Sequence, residues 1–281
     1  MIEAIKTELK SEFENQLFDA CMQNLADTEN PLRLNNFAYA MRELTRHILK
    51  RLAPDDYVLK CPWYKNETQK ENGITRKQRA YYAVQGGLAD SYINDTLGID
   101  VKAIHKNLND AINNLSKYTH IEPKSFNLPN EKVDTFVTET TEAVFNFFVL
   151  IDDCREMIIS NLWKQIQDST IEEILRETIQ EIDELCSHYF IDEVYTDSIR
   201  IHEINYKNVI FHASGIIGSE MQWGSNSDLR RDIGHVGRET FPFTCSLFSP
   251  VEEPNMIEVM EDSLGVDTGD YLNEHFRHPF I

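Results

Sequence analysis

Between Arg42 and Arg79 ten basic side chains stand against five acidic ones, in a chain whose net charge is −20. The basic residues are Arg42, Arg46, Lys50, Arg51, Lys60, Lys65, Lys70, Arg76, Lys77 and Arg79, and Tyr57, Trp63, Tyr64, Tyr81 and Tyr82 are interleaved or adjacent. A local positive field with aromatic faces suits a phosphate-bearing ligand, which the remaining surface repels. The same charges also serve simply to solvate helix faces and a loop, so residue type alone leaves both roles open. Arg42 and Arg46, four apart, share a helix face. His47, five residues after Arg42, lies about 140° round the helix from it, so the two meet only at a helix edge or across to a partner. An arginine can hold a scissile phosphate while an imidazole moves the proton of an attacking ribose 2′-OH, without a metal. Arg42 and His47 are therefore catalytic candidates, with Arg46, Arg76 and Arg79 as candidates for substrate binding.

A second constellation runs Gln222-Trp223-Gly224-Ser225-Asn226-Ser227-Asp228-Leu229-Arg230-Arg231. Hydroxyl and amide residues on a glycine turn, followed by paired arginines, can cradle an anion through backbone N–H groups and side-chain donors. Asp228 and Arg230 are the catalytic candidates here; Gln222, Ser225, Ser227 and Arg231 are the binding ones. The alternative is an ordinary strand-to-helix turn with Ser227 or Asp228 as N-cap. Glu203, Glu220, Asp228, Asp232, Asp267 and Asp270 leave Mg²⁺ open as a cofactor. No D…ExK arrangement is intact, because Glu220-Met221-Gln222 carries Gln where Lys is needed, and no residue is assigned as a metal ligand. His202 and His212 read as structural histidines. P-loop, GxGxxG, GxSxG and HExxH motifs are absent.

The elements that must position these residues are helical first. Asn30-Pro31 reads as a cap and first turn, and Leu34, Phe37, Ala38, Met41, Leu44, Ile48 and Leu52 follow at helical spacing. A polar loop spans 53–74, and a second helix runs from Thr75 towards Asp95 with Gly86-Gly87 inside it as a weak point or a close helix crossing. Val101, Ile104, Leu108, Ala111, Ile112 and Leu115 mark a third. Pro123 and Pro129 bracket a linker. A long helix then covers about 131–166, and Ser169 with Glu172 has the form of a capping box opening another. After His188 the segments 199–206, 209–223 and 241–248 are β-branched and aromatic, with Gly215 and Gly218 marking a bend or bulge. The fold class expected is α+β: an antiparallel helical bundle over 1–187 and a small antiparallel β-rich domain over 188–281, of four or five short strands.

Composition bounds the rest. Hydrophobic residues make up 41% of the chain, enough for a core. The five cysteines are scattered with no CxxC pair, which points to a reducing, cytoplasmic setting. The acidic, amphipathic start has neither the basic nor the apolar region of a signal peptide, and no apolar run reaches the ~20 residues of a membrane span. No membrane partner is expected. RNA or DNA would bind locally through 42–79, and the helical part is expected to form a homodimer.

The Arg42…His47 spacing resembles the R-x4-H ribonuclease motif of HEPN helical domains, with Glu43 standing where that family usually has a neutral polar residue or Asp. Taken with the basic loop carrying CPWY, TRKQRAYYAVQGG, NLSKYTH and the C-terminal QWGSNSDLRRDIG…FPF…VDTGDY pattern, the chain resembles the predicted pPIWI-associating nucleases of bacterial conflict systems. That resemblance implies a helical region ahead of a β-rich domain, a role in defence against foreign nucleic acid, a partner protein from the same defence operon, and a site in the loop 222–231 with Asp267 and Asp270. A chain without a complete catalytic set also fits a non-catalytic sensor that binds a partner protein or a small anionic signal.

Overall fold

The computed structural model describes residues 1–276, and at 101–105, 107, 275 and 276 the backbone alone. Helices come first: α1 (Ile2–Glu8), α2 (Glu12–Ala26), α3 (Arg33–Leu52), α4 (Asp55–Val58), α5 (Arg76–Gln85), a π-helical turn at Tyr92–Thr96, α6 (Val101–Tyr118), α7 (Asn130–Arg176) and α8 (Gln180–Asp183). The strands β1 (His188–Ile204), β2 (Asn208–Trp223), β3 (His235–Pro250), β4 (Glu258–Val259) and β5 (Gly265–Val266) follow. Two short helices complete the order, α9 (Asn226–Leu229) and α10 (Gly269–Phe276). The fold is α+β, as the change of residue pattern along the chain requires. Two compact units divide at Met157/Ile158, inside α7, whereas the switch from helix to strand comes at His188.

In the first unit α3 is the central element. Leu34, Phe37, Ala38, Met41, Leu44, Ile48 and Leu49 are all buried, and α2, α5 and α6 pack around them. Each of the larger of these side chains, removed from water, contributes about 1.5–3 kcal/mol. Arg51, near the end of α3, reaches back to α1 and α2: its Nε donates to Glu14 Oε1 at 2.8 Å and its Nη2 to the Glu8 carbonyl at 3.1 Å. Burial pushes the Glu14 carboxyl up, but the Arg51 bond and the backbone N–H groups of Lys10 and Ser11 outweigh it and hold it below the usual carboxylate value. Arg33 ties the other end of α3 to the Leu25 carbonyl and the Asn130 side chain.

Two helix boundaries differ from expectation. The helix of Arg76 stops at Gln85 because Gly86 takes φ +55°, which only a glycine adopts without strain, so Gly86-Gly87 ends the helix instead of weakening it. Ser169 opens nothing: α7 runs through it to Arg176, and the Thr170 hydroxyl donates to the Ile166 carbonyl at 2.8 Å inside the continuing helix. Of the third-helix stripe, Leu108, Ile112 and Leu115 are buried, while Val101 and Ile104 lie outside the described side chains.

In the second unit the residues Ile158, Leu162, Ile166, Thr170 and Ile174 of α7 are at most 1% exposed. Steps of four drift about 40° each, so this part of the helix is buried over a broad arc. Opposing it in composition is the inner face of the sheet, with Phe211, Ile217, Met221, Phe241, Phe243, Cys245 and Leu247 buried. Strand order is β1-β2-β3-β4, with β5 also paired to β3, all antiparallel. Three of the strands are long, not short, at 17, 16 and 16 residues. The irregularities lie on β1 rather than β2: the register slips between Ile191 and Glu193, Thr196 and Ser198, and Ile201 and Glu203. Gly215 faces the second slip, and a Cβ there would lie 1.9 Å from the Tyr195 carbonyl oxygen. Among the described residues no helix is long and apolar enough to cross a membrane. Cys21, Cys61, Cys154 and Cys245 are buried free thiols, and burial pushes the first three up to about 12 and Cys245 to about 11.

Two outcomes follow from these contacts. Arg51→Ala leaves a buried carboxylate without its partner and costs about 3 kcal/mol by chemical denaturation at neutral pH. Because the folded pKa of Glu14 is lowered, the wild-type advantage is complete above the ordinary glutamate pKa and fades as pH falls through the lowered one. A gap that stays constant with pH would assign the loss to packing alone. We further expect residues 158–281 to give a cooperative melt, and residues 188–281, which lack the buried stripe of α7, to give none; a cooperative 188–281 would show that the sheet needs no such cover.

Candidate functional site

Because one side of α3 is committed to the core, Arg42, Glu43 and Arg46 are left on its rim. Glu43 sits between the two arginines and binds both: Arg46 Nε donates to Glu43 Oε2 at 2.8 Å and Arg42 Nη2 to Oε1 at 3.3 Å. These two guanidinium groups, Arg46 first, hold the Glu43 carboxyl below its usual value against the opposing effect of partial burial. Arg42 also contacts Thr119 Oγ1 at 3.5 Å and lies 5.9 Å from the centre of the Tyr39 ring. Arg76, the first residue of α5, joins them. A cleft of about 210 Å³ is lined by Arg42, Glu43, Arg46 and Arg76, with Leu49 and Ile112 among its apolar walls. Thr45 also lines it, but its hydroxyl is spent on the Met41 carbonyl at 2.8 Å.

The other sequence candidates of this unit are placed differently. His47 is not among the residues lining the cleft; its ring meets Phe13 edge-on at 4.7 Å, and its Nε2 lies 3.1 Å from Arg46 Nη2. The imidazole therefore neighbours Arg46, not Arg42, as the 140° offset requires. Arg79 is turned to the end of α3, where Nη1 donates to the Ala53 carbonyl at 2.7 Å and to Asp55 at 2.8 Å. Glu43 is the residue whose part the residue-type argument overlooked. Its position between two arginines on one helix was the available signal.

The loop joining β2 to β3 uses its polar groups on itself. Ser225, not Ser227 or Asp228, is the N-cap of α9, and its hydroxyl accepts from the Asp228 backbone N–H at 3.2 Å. The Asp228 carboxylate accepts from the Ser225 backbone N–H at 2.9 Å and from its hydroxyl at 2.7 Å, which lowers the Asp228 pKa. Gln222 donates to the Gly224 carbonyl at 2.8 Å. From Asp228 to Gly234 the backbone N–H groups all donate to carbonyls of Ser225, Asn226, Asp228 or Leu229. Ser227, Arg230 and Arg231 are exposed. Asp267 accepts from the Gly269 backbone N–H at 2.8 Å. Among the described residues no group of three or more His, Cys, Asp or Glu is placed to hold a metal ion, so the carboxylates offered for Mg²⁺ do not assemble. His212 contacts Ser246 Oγ through Nδ1 at 2.8 Å and meets the His202 ring edge-on at 4.9 Å.

Two family models match the chain, both described as predicted pPIWI-associating nuclease, one over residues 6–144 and the other over residues 151–272. No curated protein and no solved structure matches it.

The cleft itself generates a test. Glu43 occupies the guanidinium groups that a phosphate would need, so Glu43→Gln raises affinity for a short single-stranded oligonucleotide about fivefold, read by fluorescence anisotropy at fixed salt. In the wild type affinity rises as pH falls through the lowered pKa of Glu43, and in Glu43→Gln that rise is gone. Unchanged or weaker binding by Glu43→Gln would mean that the carboxylate is not competing for the site.

Proposed function

We propose, from the premise that this chain belongs to the predicted pPIWI-associating nuclease family, that it is a nuclease that holds the phosphate backbone of nucleic acid in the Arg42–Arg46–Arg76 cleft. One observation carries the reading: arginines from two helices line a single cleft of a chain whose net charge is −20. The net charge of the chain opposes a polyanion, so binding concentrates where arginines gather. An arginine fork matches phosphate oxygens in pairs and offsets the negative charge that gathers on them in the transition state. A phosphate entering the cleft takes the Arg42 and Arg46 bonds from Glu43, which then turns to solvent.

For an RNA substrate the chain's own residues supply a metal-independent route. The ribose 2′-oxygen bonds to phosphorus as the P–O5′ bond breaks, leaving a cyclic phosphate. His47, beside Arg46, accepts the 2′-OH proton and returns one to the leaving oxygen. This is the HEPN-like reading of Arg42 and His47, and it needs His47 to swing from Phe13 towards the cleft. We assign the protein to a cytoplasmic defence role against foreign nucleic acid, as a homodimer working with a pPIWI protein. The second reading is a binding module without catalysis. The occupied Asp228 carboxylate favours it over a C-terminal catalytic route, because a carboxylate already held by Ser225 is not set to activate water.

Purified protein, alone and with its pPIWI partner, is to be incubated with RNA, single-stranded DNA and duplex DNA, with Mg²⁺ or Mn²⁺ and with EDTA. Cleavage that survives EDTA and falls at least 100-fold in Arg42→Ala and His47→Ala is the expected result. Cleavage lost with EDTA and in Asp228→Ala would move the chemistry to the β2–β3 loop. Binding that depends on Arg42, Arg46 and Arg76 with no cleavage under any condition would establish the binding module instead.

A further inference from the structure

One residue along α5 from Arg76 a different cavity opens. It measures about 170 Å³ and is lined by Trp63, Glu67, Lys77, Gln78, Tyr81 and Asp90. Its walls are held in place from behind. The Trp63 indole N–H donates to the Gly86 carbonyl at 2.8 Å, which fixes the ring plane. The Gln78 side chain is committed to the Lys65 carbonyl and to the Thr75 backbone N–H. Gln85, 1% exposed, donates to Asp90 Oδ1 at 2.9 Å and so anchors that carboxylate at the rim. Trp63 and Tyr81 lie 6.4 Å apart at 52°, making two walls of a wedge. Glu67 and Asp90 line the cavity with Tyr81, and beyond burial both carboxylates push its phenol up.

Aromatic walls with two carboxylates suit either a cation or a flat ring bearing N–H donors. Lys77 separates the two: its ammonium lies 5.5 Å over the Tyr81 ring, so the chain already supplies the cation of this cavity. A second cation would meet it at close range. A neutral base would instead stack on the indole and turn its N–H edge to the carboxylates. Guanine carries adjacent donors on its Watson–Crick edge, N1–H and the N2 amino group, and a pair of carboxylates accepts both. Uracil offers a single donor there. The spacing along α5 adds the last element, because Arg76 faces the phosphate cleft and Lys77 and Tyr81 the cavity.

We propose that the Trp63–Tyr81 cavity is a base-binding subsite for guanine in a single-stranded nucleic acid whose backbone lies in the Arg42–Arg46–Arg76 cleft. Its place beside the cleft rests on the nuclease reading above; its preference for guanine does not.

Two measurements on the full chain test it. Guanosine monophosphate should quench tryptophan fluorescence saturably, uridine monophosphate should not, and the response should vanish in Trp63→Phe and in the double variant Glu67→Gln/Asp90→Asn. In anisotropy titrations a ten-nucleotide oligouridine with one central guanosine should bind about tenfold tighter than oligouridine alone. The double variant, which removes two negative charges and so raises affinity for both oligonucleotides, should abolish that difference. Matching DNA oligonucleotides show whether the ribose takes part. Equal binding of the two oligonucleotides by wild type, or a guanosine preference that survives the double variant, overturns the subsite. Quenching by arginine amide but not by guanosine monophosphate also overturns it, in favour of a cation receptor. If Arg42→Ala/Arg46→Ala leaves oligonucleotide affinity intact while the guanosine preference persists, the cleft reading fails and the subsite stands.

Discussion

Everything in the first unit depends on keeping one face of α3 dry. Leu34, Phe37, Met41, Leu44 and Ile48 recur at helical spacing and are buried by α2, α5 and α6, so the helix has no freedom to rotate. With that face fixed, Arg42, Glu43 and Arg46 can only stand at its rim, and the first residue of α5 is brought beside them. The same burial brings Arg51 against Glu14. An ion pair with one partner 3% exposed is costly to desolvate, and it is tolerated because Lys10 and Ser11 supply further donors to the carboxylate.

The cleft is a competition between like chemistries. A carboxylate and a phosphate both present a pair of anionic oxygens to a guanidinium fork, and Glu43 already occupies the Arg42 and Arg46 donors. An empty pair of arginines would repel each other and attract any anion. With Glu43 between them the local charge is reduced, and only a ligand that brings more than one negative charge, or further contacts beyond the arginines, has an advantage.

In the second unit the sheet puts its polar residues to structural use. The β2–β3 loop looks reactive as a string of side chains, yet Ser225 and Asp228 close on each other, and the amides that follow close on nearby carbonyls. The Trp223 indole N–H donates to the Leu185 carbonyl, while its ring stacks on His235 at 5.5 Å. Such a loop positions two long strands, and its exposed arginines are left at the surface. Carboxylates and hydroxyls with filled hydrogen bonds hold a fold; they are poor acids, bases and metal ligands until something displaces their partners.

By itself the sequence determined the order of helix before strand, the stripe of α3, the strand over 209–223 and the basic island with its aromatic neighbours. Each is a local pattern, written in periods of 3.6 or 2 or in composition, so no distant residue is needed to read it. The extent of β1 was not legible, and the reason is physical. Thr196 and Ile199, three apart, both face inward, as do Ile199 and Ile204, five apart, because register slips interrupt the strand and break its alternation. Tertiary structure alone decided which basic residues meet. Arg76 joins Arg42 and Arg46 across two helices, Arg79 three residues on closes the end of α3, and His47 turns to Phe13. Those outcomes depend on which faces of α3 and α5 are buried against each other, and no spacing along one helix contains that.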